Sequence, residues 1–142
     1  MKPAIYFSYQ LSDFRVQNSS AVKRWMLSTF RKEKKKLKQL NVVFCADKYL
    51  LGINKKFLQH NFFTDIITFH YNKRNAPIEG EIFISVETIR SNAKKFGVPF
   101  KDELHRVMIH GVLHLCGYLD HTAKAKSAIR KKEDFYLLQR HF

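Results

Sequence analysis

The sequence predicts an α/β fold of the α+β kind, with a small four-stranded mixed sheet packed with about five helices in one domain spanning residues 1–142. Three observations predict it. Four short runs rich in β-branched and aromatic residues are interspersed with longer stretches whose apolar residues recur at helical spacing. The chain of 142 residues is 45% apolar and 14% aromatic, enough for one core without disulfides. No internal repeat or linker divides it.

Residues 3–9 (PAIYFSY) give the first strand. Ser19 and Ser20 are candidate caps of a helix running to about Leu40, with Val22, Trp25, Met26, Leu27 and Phe30 as its apolar stripe. Asn41–Ala46 reads as a buried strand, and a helix follows from Asp47 to about His60. Asp65–Tyr71 and Gly80–Ser85 are strands joined by a hairpin-type loop of the composition NKRNAPIE. Ser85 caps the next helix, which stops near Phe96 and Gly97. A helix from about Asp102 to Cys116 ends at Gly117, and a strongly charged helix from Ala123 to about Arg140 closes the chain.

Lys and Arg total 26 against 12 Asp and Glu, a net charge of +14. Such an excess suits a polyanion partner, usually nucleic acid, through counterion release, although a solvated basic surface has the same composition. The densest run holds Arg31, Lys32, Lys34, Lys35, Lys36 and Lys38. It reads either as a solvated helix end whose cations suit the helix dipole or as an RNA-binding patch that contacts phosphates. Cys45 and Cys116 are far apart and lack metal-type spacing, and no apolar run has the length of a signal peptide core or a membrane span. The expectation is a cytoplasmic protein with no membrane partner.

The segment His110-Gly-Val-Leu-His114 places two imidazoles at i and i+4 on one helix face, the geometry two ligands need to share a metal ion. A lone pair at this spacing is more often two unrelated histidines. Here Gly117 follows, able to end the helix and turn the chain back, which brings Asp120 and His121 into reach as third ligands. Three protein ligands to one zinc ion per chain leave a position for water, whose pKa the ion lowers. Gly111 stands where metalloproteases of the H-E-x-x-H type carry their glutamate, so peptidase chemistry is disfavoured.

His110-Gly-Val-Leu-His-Leu-Cys-Gly-Tyr118 resembles the H-G-x-L-H-L-x-G-Y signature of the YbeY family of bacterial endoribonucleases. Asn54, the block Thr64–Phe69 (TDIITF) and the block Gly80–Ser85 (GEIFIS) are similar to that family's L-N, T-D-V-L-S-F and G-D-I-x-I-S blocks, in the same order. The resemblance covers about residues 40–121. It implies a zinc-dependent, single-strand-directed ribonuclease of ribosomal RNA maturation and small-subunit quality control, with RNA as partner and residues 1–142 as one such domain. It also implies that cleavage depends on His114. The first third and last helix match only in length and character.

Two departures from the family pattern stand out. The family's third ligand is a histidine at the position that here holds Asp120, and His121 is one residue further. Asp120 serves if the chain keeps its path, and His121 if it bulges by one residue. The path without an insertion favours Asp120. An Arg that similar proteins carry six residues before the T-D block, thought to serve catalysis, is Leu58 here, with Lys55, Lys56, His60 and Arg74 as the neighbouring cations.

Glu103 lies two helical turns before His110, where it can orient a ligand or act as a base, although a first-turn acid favoured by the helix dipole is the commoner reading. Asp65, at a strand start, fits a site role and a turn role equally. Thr64 and Ser85 read as caps. Phe62, Phe63, Ile66, Ile67, Phe69, Phe83 and Ile84 read as core rather than as a base-stacking platform, and Cys116 as packed core. His60, His70, His105 and His141 receive no role. The alternative function, from another class, is a ribosome-associated RNA-binding assembly factor whose metal is structural.

Overall fold

A computed structural model describes residues 2–59 and 64–142. The elements run β1 (Ala4–Tyr9), α1 (Ser19–Lys32), β2 (Leu37–Cys45), α2 (Asp47–Leu58), β3 (Ile66–His70), β4 (Ile78–Ser85), α3 (Val86–Phe96), α4 (Phe100–Leu115) and α5 (Ala123–Leu137). The expected four-stranded mixed sheet with five helices is present. Its order is β1-β2-β4-β3, with β1/β2 and β2/β4 parallel and β3/β4 antiparallel, the last joined by the expected hairpin. His60, Phe62 and Phe63 lie outside the described residues.

Helix α1 corrects one expectation. It ends at Lys32 instead of near Leu40: Glu33 closes it, Lys34 is left-handed (φ 59°), and the amides of Lys34 and Lys35 return to the carbonyls of Arg31 and Phe30. The lysine run has high helix propensity, but Leu37 and Leu40 are buried only if the chain pairs with β4 and β1, and that pairing wins. The basic run is therefore a helix end, a turn and the first residues of a strand. Nor do the serines cap α1, since its N-cap residue is the left-handed Asn18, which makes no side-chain cap bond.

The sheet is covered on both faces because its central strands are apolar on both sides. Leu40, Val42, Phe44, Ile82 and Ile84 join residues of α1, α3, α4 and α5 in the main core. Val43, Cys45, Ile67 and Phe83 point the other way and pack with Leu50 of α2. The expected core roles of Ile67, Phe83 and Ile84 hold, with Ile66 and Phe69 half-buried against it.

Helix α4 sits close on the sheet at Gly111. A Cβ there would lie 2.7 Å from Ile82 Cδ1 and 3.0 Å from Ile66 Cδ1. Met108, Ile109, Val112 and Leu113 bury the rest of that face completely. The packing fixes which side of α4 remains open, and His110 and His114 are on it.

Candidate metal centre

His110 and His114 are successive turns of α4, their ring centroids 5.4 Å apart. The helix then ends tightly, with the amide of Gly117 bonded to the carbonyl of His114 and that of Tyr118 to Leu113. Gly117 takes φ 108°, which side chains rarely adopt, and the chain doubles back over the histidines. That return puts Asp120 Oδ2 3.6 Å from His110 Nε2 and Asp120 Oδ1 3.6 Å from His114 Nε2.

Among the described residues these three form the one group able to offer ligand atoms all within 4.8 Å of one another. Ligands at zinc-like bond lengths in a tetrahedron stand about 3.3 Å apart, so a small closure brings two imidazole nitrogens and a carboxylate oxygen onto a divalent ion. The donor set fits a metal. His121 is outside that group; it lines the same cleft, of about 630 Å³, together with Asn54, Asp65 and His70.

Glu133 of α5 was not singled out in the sequence. Its carboxylate, 4% exposed, lies 2.7 Å from His110 Nδ1 and accepts a 3.0 Å bond from Arg106, whose other nitrogen reaches Asp134. A carboxylate on Nδ1 holds the proton there and aims the Nε2 lone pair toward Asp120. The signal was present in the pattern: Ile129, Glu133 and Tyr136 are the buried stripe of α5, so an acid occupies an apolar position. Burial disfavours protonated His110, but the bond and charge of Glu133, then Asp120 and Asp65, outweigh it and raise its pKa. Burial lowers the pKa of His114, with Asp120 opposing and His110 assisting.

Glu33, also missed, closes α1 and accepts hydrogen bonds from Tyr118 (2.7 Å), Lys132 (3.3 Å) and Tyr136. Burial alone would raise its pKa; the bonds from Tyr136, Tyr118 and Lys132 prevail and lower it. One ionised carboxylate thus ties the return loop before Asp120 to the helix that carries Glu133.

Glu103 is in the first turn of α4, as the dipole reading requires, yet it is 6% exposed and faces a cavity of about 410 Å³ shared with Asp65, Arg106 and Glu133. Burial, with Asp65 adding to it, raises its pKa. Asp65 itself is raised by burial and accepts the amide of Ser85 through its carbonyl. Ser85 caps α3 by accepting from the Thr88 amide, and it also donates to Asp47. Thr64 donates to the carbonyl of Ile66. Cys116 is packed core, its thiol pushed up to about 12 by burial.

Leu58, at the position where the family resemblance implies an Arg, lines the cleft, while among the described residues Lys55, Lys56 and Arg74 are not part of its lining. His70 is. Of the basic run, Arg31, Lys35, Lys36 and Lys38 converge on a separate cavity, whereas Lys32 bonds Gln139 and Lys34 is exposed at the left-handed turn.

A family model described as Endoribonuclease YbeY matches residues 7–141. A relative of that name from Cytophaga hutchinsonii is 42% identical over 97% of this chain and 96% of its own length, and one from Flavobacterium psychrophilum is 44% identical over 92% and 91%. A solution structure of a Thermotoga maritima protein superposes with TM-score 0.66 at 25% identity, covering 94% of this chain and 87% of that one.

Proposed function

This chain belongs to the YbeY endoribonuclease family, and from that premise we propose that it is a single-strand-specific, zinc-dependent endoribonuclease of ribosomal RNA maturation and ribosome quality control. Residues 1–142 act as one such domain in the cytoplasm, with ribosomal RNA or the small ribosomal subunit as partner. The observation that carries this reading is the group His110, His114 and Asp120 opening on one cleft in a chain of charge +14.

His110, His114 and Asp120 would hold one zinc ion per chain. When bound, the ion supplies Lewis acidity and makes hydroxide available near neutrality. Glu133 keeps the His110 ring in one orientation, and Glu33 holds the loop that delivers Asp120. The buried face of α4 keeps the histidine pair rigid. Leu58, Asn54 and His70 shape the cleft that admits the RNA strand. A second reading, an assembly factor with a structural metal, is favoured by the apolar Leu58 in the cleft, where the family resemblance implies a catalytic Arg.

The two readings separate on single-stranded RNA. The wild type should cleave it, lose cleavage on chelation and regain it with added zinc. No cleavage by zinc-loaded protein would promote the assembly factor, and cleavage by metal-free protein would sink both.

A further inference from the structure

At the end of α1 the chain turns back into β2, and the start of β4 lies alongside. Between them is a cavity of about 660 Å³. Arg24, Arg31, Lys35, Lys36 and Lys38, all exposed, line it together with Pro3, Leu27, Phe30, Leu37 and Pro77. Among the described residues no acidic one lines it. Elsewhere among the described residues Arg106 pairs with Glu133 and Asp134, Lys132 with Glu33, and Arg140 with Asp102. Of the five in the cavity, Lys38 alone has an ion pair among the described residues, a loose 3.9 Å contact with the exposed Glu79. Five cations gathered with so little compensation repel one another, and an anion relieves that repulsion.

We propose that this cavity is a second binding site for single-stranded RNA, which holds a nucleotide segment outside the one being cut. The inference rests on the ribonuclease reading for the identity of the polymer. The apolar lining argues for a nucleotide over a lone phosphate: phosphates meet the cations at the rim while a base or ribose covers Leu27, Pro3 and Pro77. Arg24 lines the cavity from the middle of α1, about two turns before the basic run, so it is not part of that run in sequence. Lys32 and Lys34, inside the run, belong to other surfaces. The fold has thus sorted the cations.

The cavity connects to the metal centre through one residue. Glu33 lies in the turn whose next residues, Lys35 and Lys36, line the cavity, and it holds the hydroxyl of Tyr118, two residues before Asp120. The site serves as an anchor that raises the residence of long substrates, with no part in the chemistry.

The test compares two triple variants of equal charge change. One removes cavity cations (R24Q, K35Q, K36Q), and the other removes lysines elsewhere (K32Q, K34Q, K95Q). Binding of a labelled oligouridylate is read by anisotropy in chelator, so that no strand is cut, with circular dichroism to confirm folding. The cavity triple should bind about tenfold more weakly than the other and lower the salt slope by about 2, since each phosphate contact contributes about 0.7 on single strands. R24Q alone should weaken binding about threefold, which keeps the test open if the triple misfolds. Equal losses in both triples would overturn the site and leave only diffuse charge. Displacement of the oligonucleotide by inorganic phosphate at matched charge, or by oligoglutamate at lower concentration, would overturn it in favour of a lone anion or an acidic protein. Failure of the ribonuclease reading shows separately, as zinc-loaded wild type that binds RNA and cuts none.

Discussion

Neither histidine of α4 can set its own ring orientation, and the residue that does so for His110 is 23 positions away on another helix. Glu133 is buried, ion-paired to Arg106 and aimed at Nδ1, so replacing it frees the ring and removes the negative charge behind it. Glu133→Gln should weaken zinc binding about 10- to 100-fold, as loss of an outer-shell carboxylate typically does, measured by competition with a chromophoric chelator. On the same measure Asp120→Ala should cost more than His121→Ala, because Asp120 alone of the two stands 3.6 Å from both imidazoles. The reverse order would mean that the loop bulges at Leu119. The histidine pair, the glycine and both alternatives for the third ligand were legible in the sequence, because helical periodicity turns a spacing of four into a shared face. Glu133 and Glu33 were not singled out, because their partners come from distant segments that only the tertiary fold brings near.

The two central helices and the sheet differ in how far local pattern determined them. Helix α4 was legible nearly to its ends, since its buried face and its terminal glycine are both written locally. Helix α1 was not: lysines favour a helix wherever nothing opposes them, and what opposes them here is the pairing of β2 with β1 and β4. The same segment lines the basic cavity: the turn out of α1 separates Arg31, Lys35, Lys36 and Lys38 from Lys32 and Lys34, a sorting that a continuous helix to Leu40 does not give. At Gly111 the closeness of α4 to the sheet also explains why no glutamate occupies the metalloprotease position: that side of the helix faces Ile82 and Ile66, leaving no room for a side chain. Gly111→Val should push α4 off the sheet and lower stability by about 1–3 kcal/mol, read from the urea midpoint at unchanged slope. It should also weaken zinc binding, because both histidines ride on the displaced helix. Unchanged stability would show that the contact is looser than the geometry indicates.

Across the whole molecule, the C-terminal segment is locked to the core by a neutral histidine. His105 is 2% exposed, packs against Trp25 and Phe142, and accepts a 2.8 Å bond from Arg140 at Nδ1. Burial, then the charges of Arg140 and Lys101, lower its pKa to about 4, against the opposing Asp102. The unfolded chain titrates this group near 6.5 and so binds the proton first; stability is complete above that value and falls as the pH drops from about 6.5 to about 4, by a total on the order of 3 kcal/mol. His105→Gln should reduce the difference in unfolding free energy between pH 7 and pH 4.5, whatever its effect at neutrality. An identical difference in wild type and variant would show that His105 protonates without strain.

In the proposed function a basic surface binds RNA and a separate metal centre cuts it. The most direct test is single-turnover cleavage of single-stranded RNA by zinc-supplied His114→Ala, with RNA affinity measured on the same protein. Cleavage should be lost while most of the affinity remains, because the cations of α1, β2 and the turn between them are untouched. Cleavage at the wild-type rate by this variant would contradict it.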